Sequence, residues 1–255
     1  MGMMKRAGAT GPAVRGALLA AFTLAMSPCA VAAPNWFGHA FGLRLGGRPA
    51  ATAPVIRYEI DTGGAFVLDR SGRDFLLKFN DSPEVWVLTR ARGPRGDIIF
   101  SDDLGRPVLR TTKLGGVTVF TRAHPEGSAA AEVGPSSPIR MSRLDPSQLF
   151  QKLALASARA SRAAGRPIGF QALDADPASS GVIADAAVVA SQAVVELAMA
   201  PRGRGILARV GRIDFGKGRA AAAVFHGGVI DITVAPKAGL VGRPSSARIL
   251  QSLGA

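Results

Sequence analysis

The sequence predicts an α+β fold: an antiparallel β-meander lobe, two helices, a second short β-meander and a C-terminal helix. Three observations lead there. Short β-rich runs recur at about 8–12-residue spacing between turn residues from Pro54 to Arg122. Two longer apolar segments with helical periodicity follow. Strand runs and helix runs are segregated along the chain rather than alternating, which separates α+β from α/β.

Ahead of these elements, residues 1–32 have the order of a secretory leader. Lys5, Arg6 and Arg15 come first with no acid among them, Ala17 to Met26 is apolar, and Ala30-Val31-Ala32 fits the small-x-small cleavage rule. The apolar run is about half the roughly 20 residues that a membrane span needs. Cleavage is expected near Ala32–Ala33, and the expected location is periplasmic or secreted. The only cysteine, Cys29, would leave with the leader. A mature chain with no thiol has no disulfide, no thiolate metal ligand and no cysteine nucleophile. Residues 33–53, Gly-rich and without a clear period, read as a flexible arm.

The β-rich lobe is placed at 54–122. "VIRYEI", "AFVLD", "FLLKF", "VWVLTR", "DIIFS", "PVLRTT" and "VTVFT" read as strands, and "DTGG", "RSGRD", "NDSPE", "ARGPRG", "DDLGR" and "KLGG" as the turns joining them. Residues 123–144, rich in Pro, Ser and small side chains, read as a linker. A helix-plus-meander lobe is placed at 145–255. Its first helix begins near Asp145 or Ser147, places Leu149, Phe150, Leu153 and Ala156 on one face, and stops at Gly165 and Pro167. The second, "GVIADAAVVASQAVVELAMAP", is apolar on most sides. Its polar stripe of Asp185, Gln192 and Glu196 marks a core helix with one edge toward water. Two carboxylates would be costly in a membrane span, at about 2.5–3.5 kcal/mol for a mid-helix Asp. "GILARVGRIDF", "RAAAAVFH" and "GVIDITVAP" read as the second meander, and Ser245 or Ser246 caps the final helix.

The charge balance is basic, with 31 Lys plus Arg against 18 Asp plus Glu, a formal +13. Such a surplus favours anionic partners. Only six of the basic residues are lysine, and the arginines are scattered rather than blocked, which is also the signature of a GC-rich genome. The expected partner is an anionic envelope component or another envelope protein. Arginine is not interleaved with aromatics and Tyr58 is the sole tyrosine, so no nucleic-acid module is expected. No transmembrane span is expected in the mature chain.

The sharpest chemical question is Asp61-Thr62-Gly63, the signature triplet of retropepsin-like aspartic peptidases, in which two carboxylates share a proton and activate water. That layout buries the strand entering the motif. Here Tyr58 and Ile60 alternate with Arg57, Glu59 and Asp61, a half-solvated pattern, and Gly63 and Gly64 suit a tight hairpin. With no second Asp-Thr/Ser-Gly, a peptidase built on Asp61 has to be a homodimer. That is the alternative reading; the leading one is an exported, non-enzymatic protein with a binding or interaction role.

Other motifs are incomplete. Gly211 to Gly218 resembles a phosphate-binding loop but ends on glycine where a magnesium-ligating hydroxyl belongs. Asp214-Phe215-Gly216 lacks every kinase companion, and Arg95-Gly96-Asp97 reads first as a turn. His39, His124 and His226 have no metal-ligand spacing, and Asp102-Asp103 reads as two solvated turn acids. No cofactor or metal site is expected.

Four segments, "GAFVLDRSGRDFLLKFNDSPEVWVL", "GPRGDIIF", "TTKLGGVTVF" and "GRPSSARIL", resemble a family of exported alphaproteobacterial proteins known only as a domain of unknown function. The resemblance runs from about Val55 to the C-terminus. It implies an envelope protein of such a bacterium and brings no activity or catalytic residue with it.

Overall fold

The computed structural model describes residues 54–255. The expected leader, the arm, Cys29 and His39 lie outside them. Eight antiparallel strands run in sequence order: β1 (Val55–Ile60), β2 (Ala65–Asp69), β3 (Phe75–Phe79), β4 (Val85–Arg92), β5 (Ile98–Ser101), β6 (Pro107–Thr111), β7 (Val117–Val119) and β8 (Ser128–Pro135). β8 pairs back onto β1, so the sheet closes into a barrel. This corrects the expected α+β fold with its open meander lobe: the first lobe is a closed β-barrel. Its last strand comes from residues expected to be linker. Closure removes the unpaired edges that β1 and β7 would otherwise present, which is the physical gain over a meander.

Period-two alternation fills the interior. Ile56 and Tyr58 of β1 point inward with Phe66, Leu68, Leu77, Leu88, Phe100, Leu109 and Val119, while Arg57 and Glu59 face water. An eight-stranded barrel is just wide enough for side chains to fill. Tyr58 stacks on Phe66 at 5.1 Å between ring centroids, and Phe66 meets Phe79 edge-on at 5.8 Å.

The second layer begins with α1 (Pro146–Ala164). Asp145 accepts from the Gln148 N–H while the Gln148 side chain accepts from the Asp145 N–H, a reciprocal capping box. Leu149, Leu153, Ala156 and Ala160 are buried, whereas Phe150 is 72% exposed, off the face expected for it. β9 (Gly169–Ala172) leads to α2 (Ser180–Met199), the central core helix, with thirteen buried residues. α2 is long and apolar enough to cross a membrane by length and composition; here it packs against α1, α3 (Gly203–Leu207) and α4 (Ser246–Ser252). Gly203 allows the α2–α3 approach, because a Cβ there would lie 1.6 Å from the Leu197 carbonyl oxygen.

The expected second meander is also corrected. β10 (Arg212–Lys217), β11 (Ala222–His226) and β12 (Val229–Val234) form a mixed sheet in the order β11-β12-β10-β9, with β10 parallel to both β12 and β9. The β11–β12 hairpin turns outward, leaving β12 beside β10, and α2 with α3 supplies the long crossover that parallel β9 and β10 require.

Candidate functional site

Where the barrel wall meets the second layer, the turn before β4 packs against the loop leading into α4. The turn supplies Glu84 and the loop supplies Arg243, whose side chains are both 2% exposed. Their closest atoms, Arg243 Nη1 and Glu84 Oε1, are 3.6 Å apart. The guanidinium also donates through Nε to Asp185 of α2 at 2.5 Å and through Nη2 to the Val85 carbonyl at 2.5 Å. Glu84 Oε1 accepts the Ser246 N–H at 3.1 Å. One arginine thus joins barrel, loop and core helix. Burial raises the Glu84 carboxyl above the usual carboxylate range, against the opposing pull of Arg243 and the Ser246 bonds.

Above this pair lies a cleft of about 320 Å³. Val87, Val241, Pro244 and Ala247 give it apolar walls, and Trp86 contributes from β4. The Trp86 indole N–H is buried without a hydrogen-bond partner. Two arginines stand at the rim. Arg106 reaches back to Asp102 (2.7 Å), which also accepts the Leu104 and Arg106 N–H groups and so closes the β5–β6 turn. Arg248 of α4 reaches Asp103 (Nε 3.0 Å), which also accepts from the Ser245 hydroxyl at 2.7 Å. This second pair latches the barrel turn to α4 across the cleft. On the far side of the Arg243–Asp185 pair a more open cavity of about 510 Å³ is bordered by Lys78, Arg140 and Lys152.

The residues singled out in the sequence fall elsewhere or take other roles. Asp61 sits exposed in the β1–β2 turn, its N–H bonded to the Ala129 carbonyl, with Thr62 Oγ1 donating to Ser128 Oγ at 3.1 Å. Gly63 and Gly64 have φ of 101° and 89°, as a tight hairpin requires. Gly211 to Gly218 is mostly strand β10, not a phosphate loop. Asp97 of the Arg-Gly-Asp triplet is buried and bound by Arg110 at 2.5 Å. His226 pairs with Asp231, and His124 lies 3.4 Å from Glu126. Among the described residues no three His, Cys, Asp or Glu side chains form a metal-binding group. The polar stripe of α2 is taken by cations: Asp185 by Arg243, Gln192 by Arg159, Glu196 by Arg122.

Sequence reading passed over Glu84 and Arg243, which are 159 residues apart and meet only in the fold. The one signal available was position within the resembling segments. "NDSPEVWVL" carries Glu84 and Trp86, "GRPSSARIL" carries Arg243 and Arg248, and the two stretches face each other across the cleft.

No curated protein and no solved structure matches the chain. A family match spans residues 42–253, covering the barrel, the second layer and the cleft between them, and by it the chain belongs to the family described as Domain of unknown function (DUF4908).

Proposed function

We propose that the protein is exported, is cleaved near Ala32–Ala33, and works in the periplasm or outside the cell as a non-enzymatic binding protein whose ligand occupies the cleft beside α4. The observation carrying this reading is the cleft itself: about 320 Å³ of mostly apolar wall over a sealed charge pair, with cations at its rim. Small-ligand sites have this build, an apolar body with a few placed polar groups. Arg106 and Arg248 each have more N–H donors than their aspartates use. The ligand that fits is a small amphiphile with an anionic or carbonyl head, in keeping with an anionic envelope component as partner. The acids of the cleft hold structural bonds rather than facing a nucleophile, which supports binding over catalysis.

The test is a titration of the Trp36→Phe protein, in which Trp86 alone reports, with an alkyl carboxylate and an alkyl trimethylammonium of equal chain length. The carboxylate is expected to change Trp86 emission saturably, and Ala247→Phe, which fills the cleft, is expected to abolish the change. A response to both amphiphiles alike, or one that survives Ala247→Phe, rejects the reading. Cell fractionation with and without residues 1–32 tests the export.

A further inference from the structure

Up-and-down strand order sorts the barrel's hairpins between two ends. Residues 61–64, 80–84, 102–106 and 120–127 turn at the cleft end, and residues 70–74, 93–97 and 112–116 at the other. The two ends differ in charge. The cleft-end turns contain Asp61, Asp81, Glu84, Asp102, Asp103 and Glu126 against Arg106 and Arg122. At the opposite end, Arg73, Arg95 and Lys113 sit in the turns and Arg92 ends β4. All four are exposed, and none takes part in an ion pair among the described residues. Of the acids in these turns, Asp97 is 5% exposed and already held by Arg110, so only Asp74 faces water.

A second, independent feature lies at the same end. Leu114, at the apex of the 112–116 hairpin, is 99% exposed. It is held outward by a closed turn: Thr112 N–H donates to the Gly116 carbonyl at 2.9 Å, and the Thr112 hydroxyl accepts the Gly116 N–H at 3.0 Å. The neighbouring hairpin is in contact with it, since a Cβ at Gly96 would lie 2.1 Å from Lys113 Cε. Arg95 holds φ of 58°, an uncommon conformation for a residue with a side chain. A lone exposed leucine is ordinary. A leucine at the apex of a closed turn, on one of two touching hairpins whose cations form no ion pair among the described residues, has the layout of an interfacial anchor: charge to reach anionic headgroups, an apolar tip to enter beneath them.

We infer that this end of the barrel docks on a bilayer surface containing anionic lipid, with Arg92, Arg95 and Lys113 against the phosphates and Leu114 in the headgroup boundary. The cleft then opens away from the bilayer. The inference shares only the export with the ligand reading of the cleft. Because it is tested on the purified protein without amphiphile, either can fail while the other stands.

The experiment is sedimentation of the purified mature chain with phosphatidylcholine vesicles and with the same vesicles containing phosphatidylglycerol, at low and high salt. Binding is expected only with phosphatidylglycerol and should weaken with salt. Arg95→Gly with Lys113→Ala should reduce it about thirtyfold, roughly a factor of five per cation lost. Leu114→Ser should reduce it about fivefold. The glycine suits the Arg95 backbone, so the melting curve should be unaltered. Arg202→Gly with Arg204→Gln removes two exposed cations from the second layer and should leave binding unchanged. Equal binding to both vesicle types, no binding to either at low salt, or equal losses from the two double variants overturns the inference.

Discussion

Arg243 stands 3.6 Å from Glu84 with both side chains sealed from water. Between them they join the turn before β4 to the loop before α4. Taking two charges out of water is expensive, and a pair so placed is held by its remaining hydrogen bonds. Glu84 has the Ser246 N–H; Arg243 has Asp185 and the Val85 carbonyl. The arginine is the hub, so its loss leaves two carboxylates without a cation.

Arg243→Met is therefore expected to destabilise the fold by about 3–5 kcal/mol near neutral pH. The burial-raised carboxyl of Glu84 sets the sign of the pH dependence. A carboxyl whose pKa is higher in the folded state binds its proton more tightly there, so stability falls as pH rises from the usual glutamate range toward the raised value. Acidification should recover part of the Arg243→Met loss, and so should adding Glu84→Gln, which keeps an acceptor for Ser246 without the charge. Urea melts at several pH values check both, and a loss independent of pH counts against the buried carboxylate as its source.

Asp61→Asn is expected to change stability by less than about 0.5 kcal/mol, because the side chain is exposed at a hairpin tip and the turn is held by backbone bonds. The same variant addresses the aspartic peptidase alternative. Incubation with an unfolded substrate at acid pH should give equal outcomes for the parent protein and the variant. Cleavage that vanishes with the substitution would put the catalytic dyad back at this turn.

Seven of the eight barrel strands are legible in the sequence, since each is a short β-branched or aromatic run between Gly, Asp, Asn or Pro turns. The closing strand is not. "SAAAEVGP" carries three alanines, a glycine and a proline, all poor strand formers. What makes it a strand is the unpaired edge of β1 some 70 residues away, a tertiary demand that no local pattern encodes. The same holds for β9, whose four residues are too few to display a period. The mixed order of the second sheet follows from which edge the β11–β12 hairpin takes, and alternation along a strand is blind to that. At the site, Glu84 looks like one more turn acid and Arg243 like one more scattered arginine. Neither shows in sequence that it will be buried, because burial there is conferred by the partner. Of the three, Asp185 alone left a trace, as one member of the polar stripe along a mostly apolar helix.

Asp69, at the end of β2, ties the segment leaving the barrel back onto it. Oδ2 accepts the Ile139 N–H at 2.7 Å and faces Arg140 at 3.8 Å, while Oδ1 accepts the Ser71 hydroxyl and N–H at 2.6 and 2.8 Å. Burial by itself would raise this carboxyl, but those bonds outweigh it and hold the group below the usual range. A depressed carboxyl contributes stability that is present above the ordinary aspartate pKa and lost as pH falls through the folded one. Asp69→Ala, which strands the Ile139 and Ser71 donors, is expected to cost about 2–3 kcal/mol at neutral pH. The gap from the parent protein should narrow only under acid conditions, opposite in direction to the Glu84 effect. Hydrogen exchange at Ile139 should accelerate in the variant. Exchange at the parent rate, with an unchanged acid limb, would mean that the segment after β8 is held by something other than this carboxylate.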